Sequence, residues 1–142
     1  MIYFDSSALV KRYLREAGSE TVRSLLLAER AIATSKLTYP EILSAFMRKY
    51  RAGEIAQNSL RAVIDKLERD WSYFFVIEYH DELLPTVKTL IKTYPLKGAD
   101  TIHLSSALWL EHAVGRNVTF VASDLTLLKA AEGENLQTIN PH

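Results

Sequence analysis

The sequence predicts an α/β fold: a central parallel sheet of four to five strands between two helical layers, with a helical hairpin beside it. Two observations carry this expectation. Short apolar and β-branched runs alternate with longer stretches of helical periodicity along the whole chain, the pattern of strands joined by crossover helices and covered on both faces. Acidic residues then recur where such a run ends or a helix is about to begin: Asp5, Glu41, Asp100 and Asp124. Open α/β sheets bind ligands at that kind of position, outside the carboxyl ends of the strands. The length of 142 residues suits one domain over 1–142, large enough to bury about two-thirds of its unfolded surface.

The elements follow in order. Ile2–Phe4 reads as a short buried strand, and Asp5 can cap a helix running from about Ser6 to Leu14. Gly18 and Ser19 break the pattern before a second helix, to about Arg30, with Val22, Leu25 and Leu26 on one face. Ala31–Ala33 can form a brief strand. Thr38-Tyr39-Pro40-Glu41 has capping-box spacing with proline in the first turn, so a helix begins there and runs to about Ala52. Gly53 ends it, and Leu60, Val63, Ile64, Leu67 and Trp71 mark the next helix, completing the hairpin. Tyr73–Ile77 is aromatic and β-branched, as strands are. A helix over Asp81–Tyr94 tolerates Pro85 near its first turn and stops at Pro95. Gly98-Ala99-Asp100 opens an apolar helix to about Ala113; Val118–Ala122 is a strand, Leu125–Ala131 a short helix, and Leu136–Ile139 a last strand.

Composition narrows the function classes. Lys and Arg number 17 against 17 for Asp and Glu, so overall charge gives no nucleic-acid footprint. Basic residues are grouped locally instead, at Lys11, Arg12 and Arg15 and again at Arg48, Lys49 and Arg51. Without cysteine there is no disulfide and no thiolate metal site, which fits a reducing cytoplasm. The N-terminus lacks a basic leader and no apolar run is long enough to cross a bilayer, so no membrane association is expected. The glycines form neither a P-loop nor a dinucleotide fingerprint, and no nucleophile elbow occurs.

Each acid has a structural alternative. Asp5 and Asp124 precede helices and can be plain N-caps; Glu41 and Asp100 lie in first turns, where a carboxylate favours the helix dipole. Capping alone does not explain why so many junctions on one edge carry a carboxylate, since Ser, Thr or Asn would serve. Gathered without a cation, two such charges about 5 Å apart repel by roughly 3 kcal/mol at an effective dielectric near 20. The pattern therefore implies a divalent ion in an all-oxygen site, Mg²⁺ or Mn²⁺ rather than zinc, and metal-assisted phosphodiester hydrolysis.

Four segments carry a resemblance. The opening run Met1 to Lys11, Tyr39-Pro40-Glu41-Ile42, Lys97 to Leu104 and Phe120-Val121-Ala122-Ser123-Asp124 are similar, in order and spacing, to the four motifs of PIN-domain ribonucleases of the VapC toxin type. The resemblance spans essentially the full chain. It implies a PIN-like three-layer α/β/α fold, a Mg²⁺-dependent endoribonuclease, a VapB-type antitoxin as partner and a homodimer. It also implies Asp5 and Asp100 as metal ligands, Asp124 helping to hold the ion, and Glu41 orienting the attacking water or binding through it. Ser6 and Ser123 are supporting candidates. Relatives often have Thr or Ser two residues before the fourth acid, where this chain has Ala122.

RNA is expected along Lys11, Arg12, Arg15 and Arg48. His103, one turn after Asp100, reads as a packing or supporting hydrogen-bond residue, because hydrolysis of this kind does not require an imidazole. Two other functions fit the same residues: a non-catalytic PIN-like module that binds RNA or protein, and a metal-dependent DNA nuclease. Loss of acids would mark the first, but all four are present. The second differs only in the sugar.

Overall fold

The computed structural model describes residues 1–142. Five parallel strands form one sheet in the order β3-β2-β1-β4-β5: β1 (Ile2–Phe4), β2 (Ile32–Ser35), β3 (Phe75–Ile77), β4 (Thr119–Val121) and β5 (Gln137–Ile139). The chain winds outward from β1 through β2 to β3, then returns to the other side of β1 for β4 and β5. The order reverses between β1 and β4, and a crevice opens at such a switch point beyond the carboxyl ends of the strands.

Alternation along the strands sends side chains into two cores. From β1, Ile2 and Phe4 enter one cluster with Leu9, Ile42, Phe46 and Leu67. Tyr3 enters the other, with Phe120, Leu104, Leu110 and Leu127, and its ring stacks on Phe120 at a centroid distance of 5.5 Å. The first cluster is covered by α1 (Ser6–Leu9), α2 (Ser19–Ala28) and a hairpin of α3 (Thr38–Arg51) and α4 (Gln57–Trp71). The second is covered by α5 (Leu84–Thr93), α6 (Gly98–Val114) and α7 (Leu125–Gly133). The three-layer α/β/α expectation holds, with five strands. No helix is long and apolar enough to cross a membrane.

Several boundaries differ from the sequence expectation for identifiable reasons. The first helix lasts only to Leu9 and tightens into a 3₁₀ turn over Val10–Arg12. The helix expected from Asp81 likewise opens with a 3₁₀ turn, Asp81–Leu83, before Pro85 takes a first-turn position in α5. The capping box does not form. Thr38 is already inside α3, whose cap residue Leu37 offers no side-chain oxygen. The Thr38 hydroxyl instead pairs with the Thr34 hydroxyl at 2.7 Å, and Glu41 is engaged elsewhere.

Candidate active site

Asp5 and Asp124 lie just beyond the carboxyl ends of β1 and β4, the two strands that flank the reversal. The strands are tied there by the Asp5 N–H, which donates to the Val121 carbonyl at 3.1 Å. Both acids are helix caps as well: Asp5 Oδ1 accepts from the Ala8 N–H at 3.0 Å, and Asp124 Oδ1 from the Leu127 N–H at 2.9 Å. The structural alternative is therefore realised at both positions, and it does not use up either carboxylate. Glu41 comes from the first turn of α3, which follows β2, and Asp100 from the first turn of α6. Asp100 thus sits after a helix, α5, rather than after a strand.

The four acids converge electrostatically. Asp5 is 3% exposed, and its carboxyl is pushed up to about 6, first by burial and also by Asp100, against the opposing pull of His103, Ser7 and the Ala8 N–H. Asp100, half-buried, is raised by burial, by Asp124 and by Glu41. Burial raises Glu41 too, but its hydrogen bond to His103 and the attraction of that ring outweigh burial and leave it below its ordinary value. Asp124 is exposed at the rim. None of Asp5, Asp100 and Asp124 forms an ion pair with Lys, Arg or His, while Glu41 alone meets a ring nitrogen, His103 Nε2, at 2.7 Å.

A group of carboxylates that raise one another's protonation, with no direct ion pair to any of the three aspartates, is an all-oxygen donor set suited to a hard divalent ion. As the side chains stand, no three His, Asp or Glu residues surround a common point. Asp5 is bonded to Ser7 and the α1 N-terminus, and Glu41 to His103. In donor chemistry and electrostatic coupling the residues fit a metal centre.

Ser7 is the residue that the sequence alone did not single out. Its hydroxyl donates to the Asp5 carboxylate, 2.8 Å from Oδ1, and accepts the Ser123 N–H at 3.1 Å, joining the loops after β1 and β4. The signal was weak, because a second serine after the acid is what any helix start could show. Ser6 lies at the mouth beside Glu41 and helps to stabilise its charge. Ser123 contributes its N–H to Ser7, while its buried hydroxyl has no partner. Ala122 is fully buried among the apolar residues of the second core.

Two adjoining clefts leave this edge, of about 440 and 510 Å³. Ser7, Val10, Ala45 and Arg48 line both. Of the expected RNA-binding residues, Arg48 is exposed at this junction. Lys11 lines the larger cleft but is 3% exposed and paired with Glu16 at 3.0 Å. Arg12 borders a separate depression with Leu26 and Leu27, committed to Asp70 at 2.6 Å. Arg15 projects into solvent near Glu20. The structure places Arg48 in one cleft with Glu41, Lys11 in the adjoining cleft, and Arg12 in a separate depression.

Known proteins are similar to this chain in sequence and in fold. A family profile for the PIN domain matches residues 2–132. Ribonuclease VapC45 of Mycobacterium tuberculosis (strain CDC 1551 / Oshkosh) is 35% identical over 112 residues, 76% of this chain and 75% of that protein. This chain belongs to the VapC family of PIN-domain proteins. Two crystal structures share the fold. FitAcB from Neisseria gonorrhoeae superposes with a TM-score of 0.72 at 15% identity, covering 99% of this chain and 98% of that one. VapBC2 from Rickettsia felis, bound to a DNA fragment from its promoter, gives 0.66 at 17% identity, covering 99% and 98%. The VapC family membership and the three-layer sheet fold agree with the motif order along the chain.

Proposed function

We propose that this protein is a Mg²⁺-dependent endoribonuclease and the toxin of a VapBC-type toxin-antitoxin pair. The observation that carries the reading is the buried Asp5 carboxylate, raised toward neutrality beside another acid and without an ion-pair partner in the chain. The ribonuclease relatives at 35% identity support RNA as the substrate.

Asp5 and Asp100 would hold the ion, with Asp124 helping from the rim; Mn²⁺ is the alternative occupant by ligand type. When bound, such an ion stabilises charge growing on a phosphoryl oxygen and makes water acidic enough to attack at neutral pH. The rest belongs to the protein. Ser7 fixes the orientation of Asp5. Glu41, held in its charged form by His103, is the acceptor available to orient the attacking water and receive its proton. Arg48, at the junction of the two clefts, is placed to contact a phosphate beside the scissile one, whereas Lys11 and Arg12 are already paired with Glu16 and Asp70 and Arg15 lines neither cleft.

As a toxin it would act in the cytoplasm, with a VapB-type antitoxin covering the clefts along the α3–α4 hairpin, and a second copy of the chain completing a homodimer. The test is cleavage of RNA by the purified protein with and without Mg²⁺, alongside single-stranded DNA. Metal-dependent cleavage of RNA that Asp100→Asn removes supports the reading. Binding of RNA without cleavage at saturating Mg²⁺ and Mn²⁺, or preferential cleavage of DNA, overturns it.

A further inference from the structure

A buried hydrogen-bonded chain crosses the sheet edge from one helical layer to the other. Tyr3, from β1, is fully buried in the second core and lies with its hydroxyl 2.9 Å from His103 Nδ1. His103, from α6, is 1% exposed and its Nε2 lies 2.7 Å from Glu41 Oε1. Glu41 belongs to α3, whose Ile42 and Phe46 pack in the first core. The connection therefore links α6 on one face of the sheet to α3 on the other.

The proton positions follow from the inventory of donors. An ionised carboxylate only accepts, so the short contact to Glu41 requires a proton on Nε2. In a neutral ring Nδ1 is then bare and accepts from the Tyr3 hydroxyl. Ring stacking on Phe120 and an edge contact with His103, at centroid distances of 5.5 and 6.1 Å, fix the tyrosine in turn. A fully buried tyrosine hydroxyl aimed at a histidine, aimed at the one carboxylate of the four that has a ring partner, is more than space filling.

We infer that His103, oriented by Tyr3, is the positioning residue for Glu41: it fixes the carboxylate from behind and thereby sets turnover without itself contacting ion or RNA. The inference rests on the nuclease reading for its kinetic consequence and on geometry alone for the hydrogen bonds. Groups that orient a reacting residue from behind typically contribute about 10–100-fold to activity or metal affinity. The imidazole hydrogen-bonds Glu41 and none of Asp5, Asp100 and Asp124, so the loss is expected chiefly in kcat.

The experiment compares His103→Leu, His103→Gln and Tyr3→Phe in the full chain. His103→Leu is expected to lower kcat by about tenfold or more, with KM for RNA and the Mg²⁺ concentration for half-maximal rate unchanged. His103→Gln, which restores an N–H directed at Glu41, should recover most of the loss, and Tyr3→Phe should fall between. Wild-type kcat in folded His103→Leu, a loss carried by KM or Mg²⁺ affinity, or a glutamine variant no better than leucine each overturns the assignment. If His103→Leu does not fold, Tyr3→Phe decides it by the same kcat criterion, because its ring remains to stack on Phe120. Nitrogen-15 NMR of the metal-free protein gives a readout independent of cleavage: the proton belongs on His103 Nε2, and its absence there refutes the chain of hydrogen bonds. A proton on Nε2 in a protein that cuts no RNA would instead sink the nuclease reading and leave the geometry standing.

Discussion

Asp5 and Asp70 are the same side chain in two sheltered settings, and their protonation shifts in opposite directions. Asp70, in α4, meets Arg12 through two nitrogens at 2.6 and 3.2 Å and accepts the Tyr13 hydroxyl at 2.7 Å. Burial pushes its carboxyl up, and these partners more than reverse the shift, leaving it below the ordinary value. Asp5 is more deeply buried and has no ion pair: its hydrogen bonds come from a serine and a backbone N–H, the pull of His103 falls short of the burial cost, and its carboxyl rises to about 6. The difference separates a charge neutralised by an ion pair within the chain from one that burial leaves without such a partner. Asp70 joins the loop after α1 to the hairpin. Asp5 stores an electrostatic cost that a bound cation would relieve.

The largest effect should separate the two on activity. Asp5→Asn or Asp100→Asn should reduce metal-dependent cleavage at least about a hundredfold, the scale of losing one charge-stabilising group in a site, whereas Asp70→Asn should leave the turnover of folded protein unchanged. Equal losses from all three would erase the distinction. The next effect is on pH dependence without metal. Folded Asp5 keeps its proton to about 6, whereas the unfolded chain releases it near 3.8, so between those values the folded state binds more protons and stability falls as pH rises. The decline attributable to Asp5 amounts to as much as about 3 kcal/mol and is complete above its folded value. Urea melts of wild type and Asp5→Asn across this window measure it: the two curves should diverge toward neutral pH, with the variant the more stable. Asp70 has the opposite sign, its stabilisation being lost as pH falls below 3.8.

Smaller effects sharpen the contrast. Asp70→Asn should lower stability by about 1–2 kcal/mol, as expected for partly exposed charge-assisted hydrogen bonds, in thermal or urea melts at neutral pH. The smallest concerns Arg48: alanine there should weaken RNA binding across sequences and reduce the slope of log affinity against log salt by about one. The same substitution at Arg12 should cost stability through Asp70 and leave the salt slope alone. A slope change at Arg12 but not Arg48 would relocate the RNA path.

Much of this was legible in the sequence because it depends on periodicity and spacing. The strand runs, the helical face of Leu60, Val63, Ile64 and Leu67, and the recurrence of acids at helix starts are local signals, and they led to the parallel sheet and its acidic edge. What was missed depends on contacts across the fold. Thr38 fits a capping box, but its hydroxyl pairs with Thr34 and Glu41 reaches His103, 62 residues away. Arg12 sits in a basic group and is nevertheless neutralised by Asp70, 58 residues on. Ser7 carries no spacing signature, and its bridge to Ser123 exists only because β1 and β4 are neighbours. His103 could be read as a supporting residue from its distance to Asp100, but its connection to Tyr3 required the three-dimensional arrangement.

The direct measurement of the central claim is a pair of melts at neutral pH, wild type and Asp5→Asn, each with and without saturating Mg²⁺. Binding to the folded state raises Tm in proportion to its free energy, so the wild type should gain several degrees. The variant should melt higher than wild type without metal and gain little from its addition. An unresponsive wild type, or a variant that responds to Mg²⁺ as fully as the wild type does, would contradict the view that Asp5 is held in reserve for a cation.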